Sequence, residues 1–154
     1  MKVVLQRSID ASVIVNNKCV GSIDYGVMLL VGFTKGDSIK EINYMVDKII
    51  NLRIFDDDNG VMNRSLIDVE GSILSISQFT LYGDTKKGRR PSYINALGGE
   101  EAVKLYKLFN DTLREELKKY SPDSKVEEGI FGADMKVSFT NDGPVTILLE
   151  KEGI

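Results

Sequence analysis

The chain of 154 residues is 42% hydrophobic and 28% charged, which predicts one globular domain over residues 1–154 that buries its core without disulfides. Its formal net charge of −3 excludes nucleic-acid binding through a broad basic face, and we expect no DNA partner. One cysteine excludes an internal disulfide framework, and no segment is typical of a signal peptide or a membrane span. We therefore expect a soluble cytoplasmic protein with no membrane partner.

The N-terminal third of the chain is predicted to be β, because β-branched and apolar residues alternate with polar ones. A tight turn is expected at residues 16–18. Cys19 is expected to be a buried or half-buried strand residue rather than a reactive thiol. The predicted strands are residues 3–7, 11–15, 19–23 and 26–33.

Two helices and further strands follow. Ser38 and Glu41 form a Ser-x-x-Glu capping box that predicts the start of the first helix, and apolar residues at helical spacing continue it to Ile50. The second helix is predicted over residues 100–120, with acidic residues in its first turn and lysines in its last. Residues 72–81 and much of 126–149 are expected to be strands. The pattern predicts an α+β fold, a largely antiparallel, barrel-like sheet with two helices packed on it.

The chain has no histidine. This absence excludes Ser-His-Asp and Cys-His catalysis, histidine-based zinc sites and an imidazole general base. No P-loop, dinucleotide or EF-hand motif is present, so we expect neither a metal nor a cofactor. An enzyme with this sequence would need another way to activate its nucleophile.

Two segments carry polar groups where sites are commonly built. Residues 77–81 (Ser-Gln-Phe-Thr-Leu) change both faces of a predicted strand from apolar to polar at its end. A basic segment follows, and its cations are Lys86, Lys87, Arg89 and Arg90. The alternative interpretations are a strand that emerges into solvent and a solvated loop.

A third segment is residues 141–146 (Asn-Asp-Gly-Pro-Val-Thr), which lies between an alternating strand and an apolar run. The bond between Gly143 and Pro144 is one of the few that can be cis at low cost, since the tertiary amide reduces the preference for trans to about 0.5–1 kcal/mol. An ordinary turn with a trans proline is the alternative.

These segments together resemble the motif pair of the D-aminoacyl-tRNA deacylases. The resemblance spans nearly the whole chain and departs from the family at Gly132 and Tyr93, where alanine and phenylalanine are expected. The stretches that carry it are 6–7, 11–13, 53–55, 62–63, 77–81, 84–88, 90–93, 131–135 and 141–146.

The resemblance implies hydrolysis of the ester between a D-amino acid and the 3′ end of tRNA, with glycyl-tRNA as an additional substrate. It implies a homodimer in which the cis Gly143-Pro144 motif of one subunit enters the site of the other. An L side chain would collide with the backbone of that motif, so selection would work by exclusion. Asn141 belongs to the same motif, and Arg7 would brace it.

The resemblance also implies roles within the site. Backbone N–H groups of Phe79 and Thr80 would stabilise the oxyanion, while Ser77 and Gln78 would hold the adenosine or the carbonyl. The 2′-hydroxyl of the substrate would assist hydrolysis, and Thr80 as a direct nucleophile is the competing mechanism. The remaining implied residues are Phe131 and Met135, which would line the pocket, and Lys86, Lys87, Arg89 and Arg90, which would contact tRNA phosphates.

Two other functions fit the same sequence. One is a related editing enzyme that removes mischarged L-amino acids from tRNA. The other is a non-catalytic module that binds RNA ends, which the missing histidine and the basic loop would suit.

Overall fold

A computed structural model describes residues 1–152 of the chain. Within these residues two long helices and a short 3-10 helix accompany seven strands. The elements in chain order are β1 (Lys2–Val15), β2 (Lys18–Gly32), α1 (Ile39–Asn51), β3 (Phe55–Asp56), β4 (Met62–Arg64), β5 (Ser72–Ser77), the 3-10 helix (Phe79–Tyr82), α2 (Gly99–Tyr120), β6 (Val126–Glu128) and β7 (Lys136–Glu150).

Five strands form one sheet in the order β6-β5-β2-β1-β7, and β3 pairs with β4 in a separate two-stranded ribbon. The pairs of β1 with β2 and of β1 with β7 are antiparallel, whereas β5 runs parallel to both β2 and β6. The α+β prediction is confirmed. The barrel-like prediction is wrong, because β6 and β7 form opposite edges of an open, mixed sheet.

The β1–β2 hairpin is longer and more continuous than the sequence predicts. Its turn has φ of 50° at Asn16 and 65° at Asn17, the left-handed geometry that joins twisted strands tightly. Each strand that the pattern divides in two is a single strand. In β1 the predicted break is an irregularity at Asp10 (φ 52°), after which pairing with β7 resumes in a shifted register.

The capping box is confirmed as the start of α1. The carboxylate of Glu41 accepts the backbone N–H of Ser38 at 2.6 Å, and the Ser38 hydroxyl accepts the N–H of Lys40 at 3.3 Å. These two bonds satisfy donors that the first turn of a helix leaves free. Burial alone would raise the pKa of Glu41, but the bonds to Ser38 prevail and lower it.

The larger core lies between the sheet and the two helices. Strand residues such as Leu5 and Leu29 meet Ile42 and Met45 of α1 and Phe109 of α2, all fully buried. A smaller core on the other face joins Ala11, Val13, Ile23, Met28, Leu74 and Ile76, against which Met135, Val137 and Phe139 pack. The sheet is therefore covered by helices on one face and only in part on the other.

Two local predictions are wrong. The strand expected over residues 72–81 ends at Ser77, where the chain turns into the 3-10 helix. Cys19 is exposed, because it follows the hairpin turn at the start of β2, outside both cores. In residues 1–152, no helix is both long and apolar enough to cross a membrane.

Candidate active site

Two backbone N–H groups just after the end of β5 have no acceptor within the 3-10 helix that starts there. Gln78 still bonds to the sheet through its N–H and the carbonyl of Val31, at 2.7 Å. Phe79 and Thr80 are then the first two residues of the 3-10 helix, and the first N–H groups of a helix have no intrahelical acceptor. The turn therefore presents two adjacent amide donors.

Gly32 on the neighbouring strand fixes the position of this turn. A Cβ atom at Gly32 would lie 2.9 Å from the carbonyl oxygen of Gln78 and 3.2 Å from the Cβ of Leu81. Both distances are shorter than ordinary contacts, and the first is to rigid backbone. The absence of a side chain at Gly32 is what lets the turn pack directly on β2.

A cleft of about 280 Å³ lies beside the turn. Its lining brings together five of the predicted site residues, namely Ser77, Gln78, Phe79, Phe131 and Met135. Thr80 is exposed and lies outside the lining, and its hydroxyl accepts a hydrogen bond from Nε2 of Gln78 at 2.5 Å. Sequence reasoning missed Leu97 and Ala102 in the cleft, although Ala102 was identifiable as a small residue on the apolar face of α2.

The Gly143-Pro144 segment is a bulge within β7 rather than a turn between two strands. Gln6 pairs with Thr146 and Ser8 pairs with Asn141, so residues 142–145 stand opposite the single residue Arg7. A bulge of this kind leaves its extra residues outside the ladder. The bond between Gly143 and Pro144 is cis, and both residues are exposed.

The side chains of Asn141 and Arg7 hold the bulge through hydrogen bonds. The carboxamide oxygen of Asn141 accepts the N–H of Val145 at 3.3 Å, and its nitrogen donates to the Thr146 hydroxyl at 3.0 Å. Nε of Arg7 donates to the carbonyl oxygen of Asp142 and lies as close to its carboxylate, both at 3.2 Å. Arg7 is buried beneath the segment that the sequence predicts it to brace.

The same cluster contains Tyr25. Burial is the main cause that raises the pKa of its phenol, and the charges of Asp142 and Asp56 add to this effect while Arg7 opposes it. The cleft lining contains none of the bulge residues. Within one chain the structure thus leaves Arg7, Asn141, Gly143 and Pro144 apart from the cleft.

The basic loop lies next to the 3-10 helix. An isolated bridge between Asp84 and Ser92 closes the loop, and the rings of Phe79 and Tyr93 meet edge-on with centroids 5.1 Å apart. All four cations of the loop are exposed, namely Lys86, Lys87, Arg89 and Arg90. The segment that follows the 3-10 helix therefore presents four exposed positive charges.

A family comparison and two relatives from Clostridium place the chain in one family. The family described as D-Tyr-tRNA(Tyr) deacylase matches residues 4–150. A D-aminoacyl-tRNA deacylase of Clostridium tetani (strain Massachusetts / E88) is 53% identical over 154 residues, which cover 100% of this chain and 99% of that protein. A D-aminoacyl-tRNA deacylase of Clostridium novyi (strain NT) is 49% identical over 152 residues, which cover 99% of this chain and 98% of that protein.

Two solved structures share the fold. One, described as a c-Myc DNA Unwinding Element Binding Protein, is 41% identical with a TM-score of 0.89 and covers 98% of this chain and 99% of its own. The other, described as a probable eukaryotic D-amino acid tRNA deacylase, has a TM-score of 0.80 over 96% and 97% of the two chains. At 21% identity the second likeness shows the fold alone.

These relatives define an enzyme class, the hydrolases that act on ester bonds. Within that class the chain belongs to the D-aminoacyl-tRNA deacylase family. The resemblance recognised from the motifs at residues 77–81 and 141–146 is confirmed.

Proposed function

We propose that this protein releases D-amino acids from tRNA by RNA-assisted ester hydrolysis and rejects L-aminoacyl-tRNA through the Gly143-Pro144 bulge. The observation that carries the proposal is the pair of free amide donors of Phe79 and Thr80 at the edge of an apolar cleft. Such donors stabilise the charge that develops on the carbonyl oxygen when water attacks an ester.

The chemistry needs little from side chains. Water adds to the ester carbonyl, the two N–H groups bind the oxyanion, and the 3′-oxygen of the terminal adenosine leaves with a proton. The vicinal 2′-hydroxyl of the substrate assists by orienting or activating the water. Ser77 and Gln78, which line the cleft, hold the adenosine or the carbonyl, while Phe131 and Met135 form the apolar wall.

Chiral selection follows from where the bulge projects. Gly143 and Pro144 are exposed on edge strand β7, so they are free to enter the cleft of a second copy. In that position their backbone would occupy the space of an L side chain, whereas a D substrate would place hydrogen there. Glycine has no side chain to exclude, and glycyl-tRNA is therefore also hydrolysed.

The sheet offers a face for the second copy. On the side opposite the helices, Leu148, Val4 and Leu30 form one cross-strand row through β7, β1 and β2. Leu148 is 77% exposed, and the other two residues are half-buried. A row of aliphatic side chains open to solvent is suited to a homodimer interface.

The partner for the basic loop is the phosphate backbone of the tRNA 3′ end. The loop after the 3-10 helix provides four exposed cations, Lys86, Lys87, Arg89 and Arg90, which are enough to orient a single strand although the net charge of the chain is −3. DNA is not a substrate in this proposal, because ester hydrolysis needs the aminoacylated end. The single exposed cysteine suits the cytoplasm, where tRNA is charged.

The deciding experiment compares D-tyrosyl-tRNA, L-tyrosyl-tRNA and glycyl-tRNA under single-turnover conditions. Fast release from the D and glycyl substrates and none from the L substrate supports the proposal. Equal rates on the two enantiomers would favour an editing enzyme for L-amino acids, and tight binding without turnover would favour a non-catalytic module. A substrate that ends in 2′-deoxyadenosine should react far more slowly if the RNA assists.

A further inference from the structure

The two-stranded ribbon β3–β4 is attached firmly to the core next to the bulge. Phe55 of β3 is fully buried, and its ring meets that of Tyr25 edge-on with centroids 5.5 Å apart. Successive residues of a strand point to opposite sides. The carboxylate of Asp56 accordingly lies on the outer side, with 51% of the side chain exposed.

This ribbon holds one end of the Arg7 guanidinium. Nη1 of Arg7 donates to the carbonyl oxygen of Ile54 at 2.9 Å and to Oδ1 of Asp56 at 3.3 Å. Only 7% of the Arg7 side chain is exposed. A guanidinium with so little access to water needs protein acceptors for its N–H groups. Asp56 of the ribbon and Ile54, the residue just before it, supply two of them.

The other end of the guanidinium holds the bulge. Nε contacts both the carbonyl and the carboxylate of Asp142, and a Cβ atom at Gly143 would lie 3.0 Å from Nη2. Residues 142–145 face a single residue across the strand pair, so few ladder bonds fix their height above the sheet. Arg7 is the rigid link that joins them to the ribbon.

We infer that Asp56 is a positioning residue for chiral selection, which fixes the Arg7 guanidinium and thereby sets how far the Gly143-Pro144 segment projects from the sheet. The inference rests on the proposed function, since only a bulge that enters a substrate site can select. Asp56 lines no part of the cleft. Its loss therefore acts on the fit of the bulge and not on the amide donors of Phe79 and Thr80.

The first test measures hydrolysis of D- and L-tyrosyl-tRNA by the full-length Asp56→Ala and Asp56→Asn variants. We expect the L-to-D ratio of kcat/KM to rise about two- to fivefold in Asp56→Ala, because the loss of one half-exposed ion-pair partner has an effect of about that size. Asp56→Asn keeps an acceptor oxygen and should give a smaller rise. The control is Asp58→Ala, which removes a carboxylate from the turn between β3 and β4. The Asp58 carboxylate contacts Arg64 at 3.0 Å, so its loss leaves Arg7 untouched.

The second test needs no substrate. Amide hydrogen exchange at Val145, whose N–H bonds to Asn141 at the base of the bulge, should become faster in Asp56→Ala and stay unchanged in Asp58→Ala. Unchanged exchange in Asp56→Ala, an unchanged ratio, or equal falls in the D and L rates would overturn the inference. A wild-type protein that does not discriminate between the enantiomers would overturn the proposed function, and the exchange data would then decide only whether Asp56 positions the bulge.

Discussion

The side-chain amide of Gln78 donates a hydrogen bond to the hydroxyl of Thr80, with the nitrogen and oxygen 2.5 Å apart. The bond occupies the Thr80 oxygen as an acceptor and holds Gln78 across the start of the 3-10 helix. A threonine nucleophile would instead need a base to accept its proton. The relationship therefore favours a supporting role for the Thr80 hydroxyl.

The first prediction concerns that hydroxyl. Thr80→Ala keeps the backbone N–H and loses one hydrogen bond of about 0.5–1.5 kcal/mol, so single-turnover hydrolysis of D-tyrosyl-tRNA should fall by no more than about tenfold. Thr80→Ser, which retains the hydroxyl, is the matched control. A fall on the order of 10³ or more in the alanine variant would indicate a direct nucleophile.

The second prediction tests the backbone donors. Proline is tolerated at the first position of a helix and has no N–H, and Phe79 occupies that position. Phe79→Pro should reduce the rate of hydrolysis by about 10²–10³, as loss of an oxyanion donor does elsewhere. Phe79→Ala removes the same ring and keeps the donor, so equal losses in the two variants would argue against an oxyanion role.

The third prediction concerns the backbone of the bulge. Gly143 has φ of +121°, and a Cβ there would approach Cγ2 of Val145 to 2.9 Å. Gly143→Ala should move the bulge and raise the L-to-D rate ratio, with a loss of about 1–3 kcal/mol in the free energy of unfolding. Gly60 has φ of +75° with open space around it. Gly60→Ala should therefore lower the free energy of unfolding by about 1–2 kcal/mol and leave the L-to-D rate ratio unchanged. A Gly143 variant that keeps full selectivity would remove the bulge from chiral selection.

The fourth prediction concerns the basic loop. Replacement of Lys87 and Arg90 by glutamine should weaken binding of uncharged tRNA and reduce the slope of log K against log salt by about 0.7–0.9 for each phosphate that the loop no longer binds. The same replacement at Lys118 and Lys119, exposed at the end of α2, changes the net charge equally and should leave the slope unchanged. Binding measured at several salt concentrations distinguishes the two pairs. Equal slopes would show that the loop does not contact phosphate.

The fifth prediction concerns the sheet face. A glutamate in place of Leu148 would be buried without a partner in a dimer, at a cost that dissociates most interfaces. Leu148→Glu should sediment as a monomer and lose at least about tenfold in activity. The control is Val61→Glu, which adds the same charge at a residue that is 57% exposed in the segment between β3 and β4. This control variant should stay dimeric and active. A dimeric and active Leu148 variant would place the interface elsewhere.

The sequence predicts the parts of this fold that depend on neighbours in the chain. Ser38 and Glu41 are three residues apart, so the capping box and the start of α1 are visible in the pattern. The change in polarity at Ser77 likewise marks the end of β5, although the turn into a 3-10 helix shortens the predicted strand. The barrel-like prediction failed because the order of strands depends on which distant segments pair, a property that periodicity does not encode.

In the candidate site, too, local motifs were predictable from the sequence and long-range contacts were not. The motifs identify Ser77 to Phe79, and Phe131 and Met135, as neighbours, and the cleft brings them together. The bulge opposite Arg7 results from pairing between residues about 135 positions apart. The local pattern predicts a turn at this position, because glycine and proline are equally suited to a turn and to a bulge. The contact of Arg7 with Asp56 was equally invisible, because a half-exposed aspartate in an acidic stretch resembles any solvated loop.

Gly32 makes the site sensitive to substitution at a residue that carries none of the reactive groups. If the reactive groups are main-chain amides, no replacement of a side chain at Phe79 or Thr80 removes them, apart from proline. The cleft would instead be inactivated from the strand behind it, where even alanine would press on the carbonyl oxygen of Gln78. A screen for inactive but folded variants should therefore recover Gly32 ahead of the residues that touch the substrate.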